Sequence, residues 1–234
     1  MPNISLSSRC NLHCPYCFAH ETMGAGSGDI TLENIDAALE FLTRTGPVNI
    51  GLIGGEPTLH PHFDEIVRRA VACENVAMLT VYTNGLLIEK HADVLSLPKV
   101  TLLVNWNAPS ELREGAFEQI KRGVDELVFN RDMRRRINLG LNLHGETMEY
   151  GYMLDLLKRY GFDKVRISLT VPEFPEGCSQ SAIERFRACK PFLLKMSRIY
   201  RDARRLHGQG PYKDHLWFCI RAGGEDWTGR PTFY

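Results

Sequence analysis

Short runs rich in apolar and β-branched residues alternate with longer helical stretches from one end of this chain to the other, and that alternation narrows the fold to a parallel sheet with crossover helices. About six such units can be drawn. The strands are Ile4 to Ser8, Val48 to Ile53, Ala77 to Tyr82, Val100 to Trp106, Ile137 to His144 and Lys164 to Val171. The helices between and after them are Leu32 to Thr43, Phe63 to Ala72, Glu89 to Leu95, Ser110 to Phe129, Met148 to Tyr160 and Ala182 to Leu206. Thr31 and Ser110 are placed to cap the first and fourth helices, and Gly161 to end the fifth.

The strands carry a second message. In a flat parallel sheet covered on both faces, strands read as apolar throughout. Here Ile137, Leu139, Leu141 and Leu143 share one face while Asn138, Gly140, Asn142 and His144 share the other. In the last strand Val165, Ile167, Leu169 and Val171 oppose Arg166, Ser168 and Thr170, and Asn105 and Asn107 oppose Val104 and Trp106. Helices need the apolar faces, so the polar ones look into a cavity. The expected fold is therefore α/β, a partial (β/α)6 barrel: an open parallel sheet curved around a polar lumen. An antiparallel sheet with one solvated face would alternate in the same way, but the long helical segments favour parallel crossovers.

Length and charge set further bounds. The chain has 234 residues, 44% of them hydrophobic, enough for one substantial core. Residues 1–206 read as that domain. Residues 207–234, rich in Gly, Pro and aromatics without a clear period, read as a tail or lid. Basic and acidic residues number 28 each, so no net field draws the protein to nucleic acid or an anionic membrane. No apolar run is long enough to span a bilayer, and no charged-then-apolar leader is visible, which predicts a cytoplasmic protein. Seven cysteines in that reducing compartment read as metal ligands plus leftovers.

Three of them, Cys10, Cys14 and Cys17, lie in one short loop, Cys-Asn-Leu-His-Cys-Pro-Tyr-Cys. Three thiolates on one loop with no fourth cysteine nearby suit a cubane iron-sulfur cluster that keeps one iron open to a ligand. A structural zinc ion with His13 or His20 as fourth ligand is the alternative, yet zinc sites usually come as two separated ligand pairs, and the second pair is missing. The second strand then runs straight into Gly54-Gly55-Glu56-Pro57-Thr58-Leu59-His60-Pro61. Paired glycines at the C-terminal end of a barrel strand let a ligand approach the backbone where such folds place their active sites, and Glu56 adds a carboxylate able to receive an ammonium group.

With both motifs in this order, the chain resembles the radical S-adenosylmethionine (SAM) superfamily across nearly its whole length, and its Gly-Gly-Glu-Pro wording is similar to the peptide- and cofactor-modifying branch. The resemblance implies that Cys10, Cys14 and Cys17 hold a 4Fe-4S cluster, that Tyr16 lies beside the adenine of SAM, and that Gly54, Gly55 and Glu56 receive its amino group. It puts Asn105 at the SAM carboxylate or ribose, although Val104-Asn105-Trp106-Asn107 departs from the family's usual sequence there. Ser168 and Asn142 are ribose or substrate contacts by position. Asn107, Asn142, His144 and Arg166 are the lumen candidates for the substrate. Thr83-Asn84-Gly85 is frequent in such proteins, and as residues it reads as a strand-ending turn.

The implied activity is reductive cleavage of SAM to methionine and a 5′-deoxyadenosyl radical, which takes a hydrogen atom from a peptide or protein side chain. A small metabolite or cofactor precursor is the second reading, and a non-catalytic iron-sulfur or zinc protein the alternative from another class. An intact Gly-Gly-Glu motif favours catalysis, since an electron carrier needs no amino-group site. The implied partner is an electron donor such as flavodoxin or ferredoxin. Arg131, Arg134, Arg135 and Arg136, with Arg198, Arg201, Arg204 and Arg205, are either solvated faces or its docking surface. Of the remaining cysteines, Cys178, Cys189 and Cys219 are candidates for an auxiliary cluster, because Cys219 to Pro231 resembles the opening of the auxiliary region of related enzymes; the chain reaches Tyr234 before the dense cysteine group such a region has. Cys73, at a helix end, reads as an inert buried thiol. His60 and His62 read as the opening of the second helix around Pro61.

Overall fold

The computed structural model describes residues 1–14, 17, 28–143, 151–161, 165–169 and 217–220, the last two segments by their backbone. Strands β1 (Asn3–Ser5), β2 (Val48–Ile53), β3 (Val76–Thr83), β4 (Val100–Asn105), β5 (Ile137–Leu143), β6 (Val165–Leu169) and β7 (Trp217–Ile220) form one sheet in sequential order. Every pair is parallel. Helices α1 (Leu32–Thr43), α2 (Phe63–Ala72), α3 (Ala92–Leu95), α4 (Ala116–Asp125) and α5 (Gly151–Tyr160) supply crossovers between successive strands. This is the expected partial barrel, with one strand more than the six expected, because the stretch expected as a tail or lid contributes β7 beside β6. The expected helix Ala182 to Leu206 lies outside the described residues.

Register carries the two-faced pattern around the sheet. Leu79, Val100, Val81 and Leu102 are neighbours in one register, and Leu102 continues to Ile137. These five are at most 1% exposed and pack under the helices. Burying a side chain of this kind is worth about 1.5–3 kcal/mol, so a shift by one residue, which would turn the whole set toward the lumen, is heavily disfavoured. On the opposite face Leu103 neighbours Asn138 and Asn105 neighbours Gly140, which in turn neighbours Arg166. Asn105, Asn138 and Asn142 are half-buried, as expected for groups lining a wet cavity.

Local chemistry accounts for where the elements begin and end. The Thr31 hydroxyl accepts from the Asn34 amide at 3.2 Å and starts α1 as expected. Gly161, at φ +60°, follows the last residue of α5. β1 is shorter than expected because the Ser7 carbonyl leaves the ladder to accept from Gly55. Ser110 does not cap α4: Pro109–Glu111 form a separate 3-10 turn, and α4 starts only after Gly115, at φ +75°. Glu126–Asn130 extend α4 as a π turn. α3 starts three residues late, since the chain from Gly85 to His91 spends its bonds in turns. β4 ends at Asn105, one residue before its expected end at Trp106.

Candidate active site

The cysteine loop leaves β1 and is clamped onto the turn that leaves β2. The Gly55 amide donates to the Ser7 carbonyl and the Glu56 amide to the Arg9 carbonyl, each at 2.8 Å. The two glycines are required by this contact. A Cβ on Gly54, which has φ +153°, would lie 2.5 Å from the Ser7 carbonyl oxygen, and one on Gly55 would lie 2.3 Å from that of Arg9. Their smallness thus admits the chain's own backbone immediately before Cys10. Arg9 fastens the outer side of the loop, its guanidinium bonding both carboxylate oxygens of Asp29 at 3.2 and 2.6 Å and the Leu59 carbonyl at 3.1 Å.

Glu56 is the hub of the turn. It is 1% exposed, and its carboxylate accepts from the Thr58 amide and hydroxyl, from the Thr83 hydroxyl at 2.8 Å and from the Asn84 amide at 2.7 Å. Burial pushes its carboxyl above the ordinary range; the bonds from Asn84, Thr58 and Thr83 oppose that push without cancelling it. The carboxylate is directed into this network at the end of β3. Thr83-Asn84-Gly85 is therefore more than a turn. The Asn84 side-chain amide also reaches the Asn11 carbonyl oxygen at 2.7 Å, tying the residue after Cys10 to the end of β3.

Cys10, Cys14 and Cys17 are each half-buried and in no disulfide among the described residues. The Cys17 amide donates to the Cys14 carbonyl at 3.0 Å, folding the loop on itself. Burial pushes the Cys10 thiol up, the Leu12 amide pulls it down, and negative charge on Glu56, Cys14 and Cys17 pushes it further up. Cationic iron would supply the missing stabilisation of the thiolates. Among the described residues no three Cys, His, Asp or Glu side chains converge on a single ion position. In a cubane three cysteines each bind a different iron, and three thiols on one loop are the donors such a cluster takes. The donor set therefore fits the cluster.

The structure brings further candidates to this end of the sheet and separates others. Asn107, expected to face the substrate, instead donates through its side-chain amide to the Cys14 sulfur at 3.4 Å. The Asn105 side chain lies over Gly140, where a Cβ would come 2.4 Å from its Oδ1. Register sets Arg166 beside Gly140 and Ser168 beside Asn142, on the lumen face with Asn105. Tyr16, His144, Cys178 and Cys189 lie outside the described residues, and Cys219 falls in β7. Cys73 follows α2 and is half-buried, not fully buried, with its sulfur 3.9 Å from the Thr43 hydroxyl. His62 immediately precedes α2, and His60 is buried with its ring nitrogen 2.9 Å from the Ile30 carbonyl, a structural contact.

Sequence reasoning gave no role to Asn11, Arg9, Thr58 and Tyr152. The Tyr152 hydroxyl donates to the Trp106 carbonyl at 2.7 Å. Burial and the Glu111 charge push that phenol up. Of these only Asn11 left a signal, as the polar residue just after the first cysteine. Two of the expected surface arginines have internal work: Arg131 pairs with Asp93 and Glu126, and Arg136 donates to the carbonyls of Leu97 and Ser96.

Comparison with known proteins places these features in context. A family model described as the radical SAM superfamily matches residues 4–150. A second, described as a conserved hypothetical protein (DUF2461), matches residues 174–234. A GTP 3′,8-cyclase of Chlorobaculum tepidum is 29% identical over 142 residues, 58% of this chain and 43% of that protein. A probable GTP 3′,8-cyclase of Methanocella arvoryzae is 39% identical over 131 residues, 52% of this chain and 41% of that protein. The chain thus spans less than half the length of these relatives. Among solved structures, SuiB of Streptococcus suis bound to S-adenosylmethionine aligns with a TM-score of 0.57 at 14% identity, over 94% of this chain and 47% of that one. The same protein bound to the precursor peptide SuiA aligns at 0.55 and 15% identity, over 94% and 48%. Among the described residues no helix is long and apolar enough to cross a membrane.

Proposed function

Since this chain belongs to the radical SAM superfamily, we propose that Cys10, Cys14 and Cys17 hold its 4Fe-4S cluster and that the turn Gly54 to Glu56 receives the amino end of SAM. The chemistry supplied by the two cofactors is one-electron cleavage of SAM to a radical that takes a hydrogen atom from the substrate. The clamping of the cysteine loop onto the glycine turn by two 2.8 Å hydrogen bonds is the observation that carries this reading. It joins the backbone leading into the cysteine loop to the glycine turn, so the cosubstrate would be oriented by the same backbone that leads into the cluster site.

The remaining residues divide the work. Glu56 keeps the turn in shape through its bonds to Thr58, Thr83 and Asn84. Tyr16 would lie beside the adenine, Asn105 would meet the carboxylate or ribose, and Ser168 the ribose or substrate. Asn142, His144 and Arg166 face the substrate from the lumen side of the C-terminal half of the sheet, where binding groups and not the radical chemistry set selectivity. Asn107 passes from that group to the cluster side, on the strength of its contact with Cys14.

The substrate we favour is a peptide or protein side chain, supported by a fold shared over 94% of this chain with a protein crystallised with its precursor peptide. A nucleotide or other small cofactor precursor is the second reading, favoured by the identity to GTP 3′,8-cyclases. A flavodoxin or ferredoxin supplies the electron. The test is anaerobic reconstitution: the wild type should take up about four irons and four sulfides and release 5′-deoxyadenosine and methionine with dithionite, and the triple variant Cys10→Ala, Cys14→Ala, Cys17→Ala should hold none. Zinc in the native protein, or iron retained by the triple variant, would overturn the assignment. Coupling of 5′-deoxyadenosine release to modification of a peptide or of GTP then separates the two substrate readings.

A further inference from the structure

We infer that Asn107 sets the reduction potential of the cluster by donating a hydrogen bond to the sulfur of Cys14. The inference rests on the reading that the cysteine loop holds the cluster. The side-chain nitrogen of Asn107 lies 3.4 Å from the Cys14 sulfur, and the residue is only 8% exposed. Its backbone is held on both sides. The preceding Trp106 is 1% exposed, its amide donates to the Gly140 carbonyl at 3.2 Å and its carbonyl accepts from the Tyr152 hydroxyl at 2.7 Å. The following Ala108 is 1% exposed as well. The amide is thus preorganised toward the sulfur by a chain of contacts running from α5 through the end of β4.

The electrostatics give the contact a direction. Reduction adds one electron from the flavodoxin- or ferredoxin-class donor and no proton, taking the cluster from the 2+ to the 1+ state. The added charge is shared with the coordinating sulfurs. A donor held at one of those sulfurs stabilises the reduced form more than the oxidised one, which raises the potential. Low exposure strengthens the effect, because little water competes for the sulfur. Asn107 acts through Cys14, as a positioning residue for charge. The same side chain would be misread as a substrate contact from sequence, since it continues the polar alternation of β4.

The test uses full-length wild type, Asn107→Leu and Asn107→Asp, reconstituted anaerobically and titrated without SAM or substrate, with the reduced cluster followed by electron paramagnetic resonance. We expect iron and sulfide contents equal to wild type. At the wild-type midpoint the reduced-to-oxidised ratio should fall about three- to tenfold in Asn107→Leu, and further in Asn107→Asp, which sets an anionic oxygen against the sulfur. Tyr152→Phe, which frees the Trp106 carbonyl, should shift the ratio in the same direction by less. Full clusters with an unmoved potential in both Asn107 variants would overturn the inference. Loss of iron from both would overturn it too, by making Asn107 part of the loop's scaffold. A wild type that takes up no iron and sulfide would instead overturn the assignment of the loop itself.

Discussion

The side-chain amide of Asn84 donates to the side-chain carbonyl of Asn11 at 2.7 Å, joining positions 73 residues apart. One end of this bond sits next to Cys10 and the other at the end of β3, where the Asn84 backbone amide also holds Glu56. Replacing Asn84 by Ala removes this bond, together with the one its Oδ1 accepts from the Leu86 amide at 3.1 Å, and leaves the backbone bond in place. The expected result is a loss of about 1 kcal/mol in stability and a several-fold faster release of iron to a chelator. Unchanged release kinetics would show that the loop does not depend on this tie.

Glu56→Gln tests the hub of the turn. A carboxylate that accepts from Thr58, Thr83 and Asn84 becomes an amide with one acceptor oxygen, and its NH2 group must face a donor. A stability loss of about 1–3 kcal/mol is expected. SAM binding, measured by calorimetry, should weaken more than cluster assembly, because the Glu56 backbone amide that bonds Arg9 survives the substitution. Equal loss of both would count against a role at the cosubstrate.

Gly55→Ala addresses the clamp directly. The added methyl would meet the Arg9 carbonyl oxygen at 2.3 Å, and backbone cannot rotate out of the way. A destabilisation of about 1–3 kcal/mol is expected, read from chemical denaturation, together with a sharp drop in iron uptake. Normal uptake in this variant would mean that loop and turn can separate without consequence.

Acid sensitivity should be visible at Asp125, away from the site. Burial pushes its carboxyl up, but the Arg159 guanidinium, bonding it at 3.2 and 2.7 Å, and the Tyr160 hydroxyl at 2.6 Å hold it below the ordinary range. A carboxyl lowered on folding contributes stability that is present above its unfolded value of 3.8 and is lost as pH falls through its folded one. The pair is partly solvated, so the contribution is about 1 kcal/mol or less. Asp125→Asn should lose that amount at neutral pH and flatten the acid limb of the stability profile; a variant with the wild-type acid limb would refute the linkage.

Much of this arrangement was legible before any coordinates. The partial barrel followed from alternation in β5 and β6, because residues on one face must share an environment, and the superfamily followed from three cysteines at fixed spacing ahead of a Gly-Gly-Glu turn. What could not be read was long-range pairing between polar side chains. Asn11 and Asn84 each look locally sufficient, one beside a cysteine and one in a turn, and nothing in their spacing links them. The contact of Asn107 with Cys14 was hidden for a related reason: β4 ends at Asn105, so a period of two along the strand says nothing of what Asn107 meets beyond it. β7 was missed because four residues are too few to show a period.

The sheet keeps the strands in the order in which they occur along the chain, so travelling along the polypeptide is the same as travelling around the mouth of the barrel. The cysteines, the glycine turn and Asn84 occupy the first three stations, and Asn142, Arg166 and Ser168 the fifth and sixth. In the proposed function the cluster loop and the amino-group turn lie with the early strands and the substrate candidates Asn142 and Arg166 with the later ones, so the two are written in separate stretches of the gene. On that reading a change confined to the later stretch would alter the substrate contacts and leave the earlier one as it is, with Asn107, two residues past the end of β4, between the two.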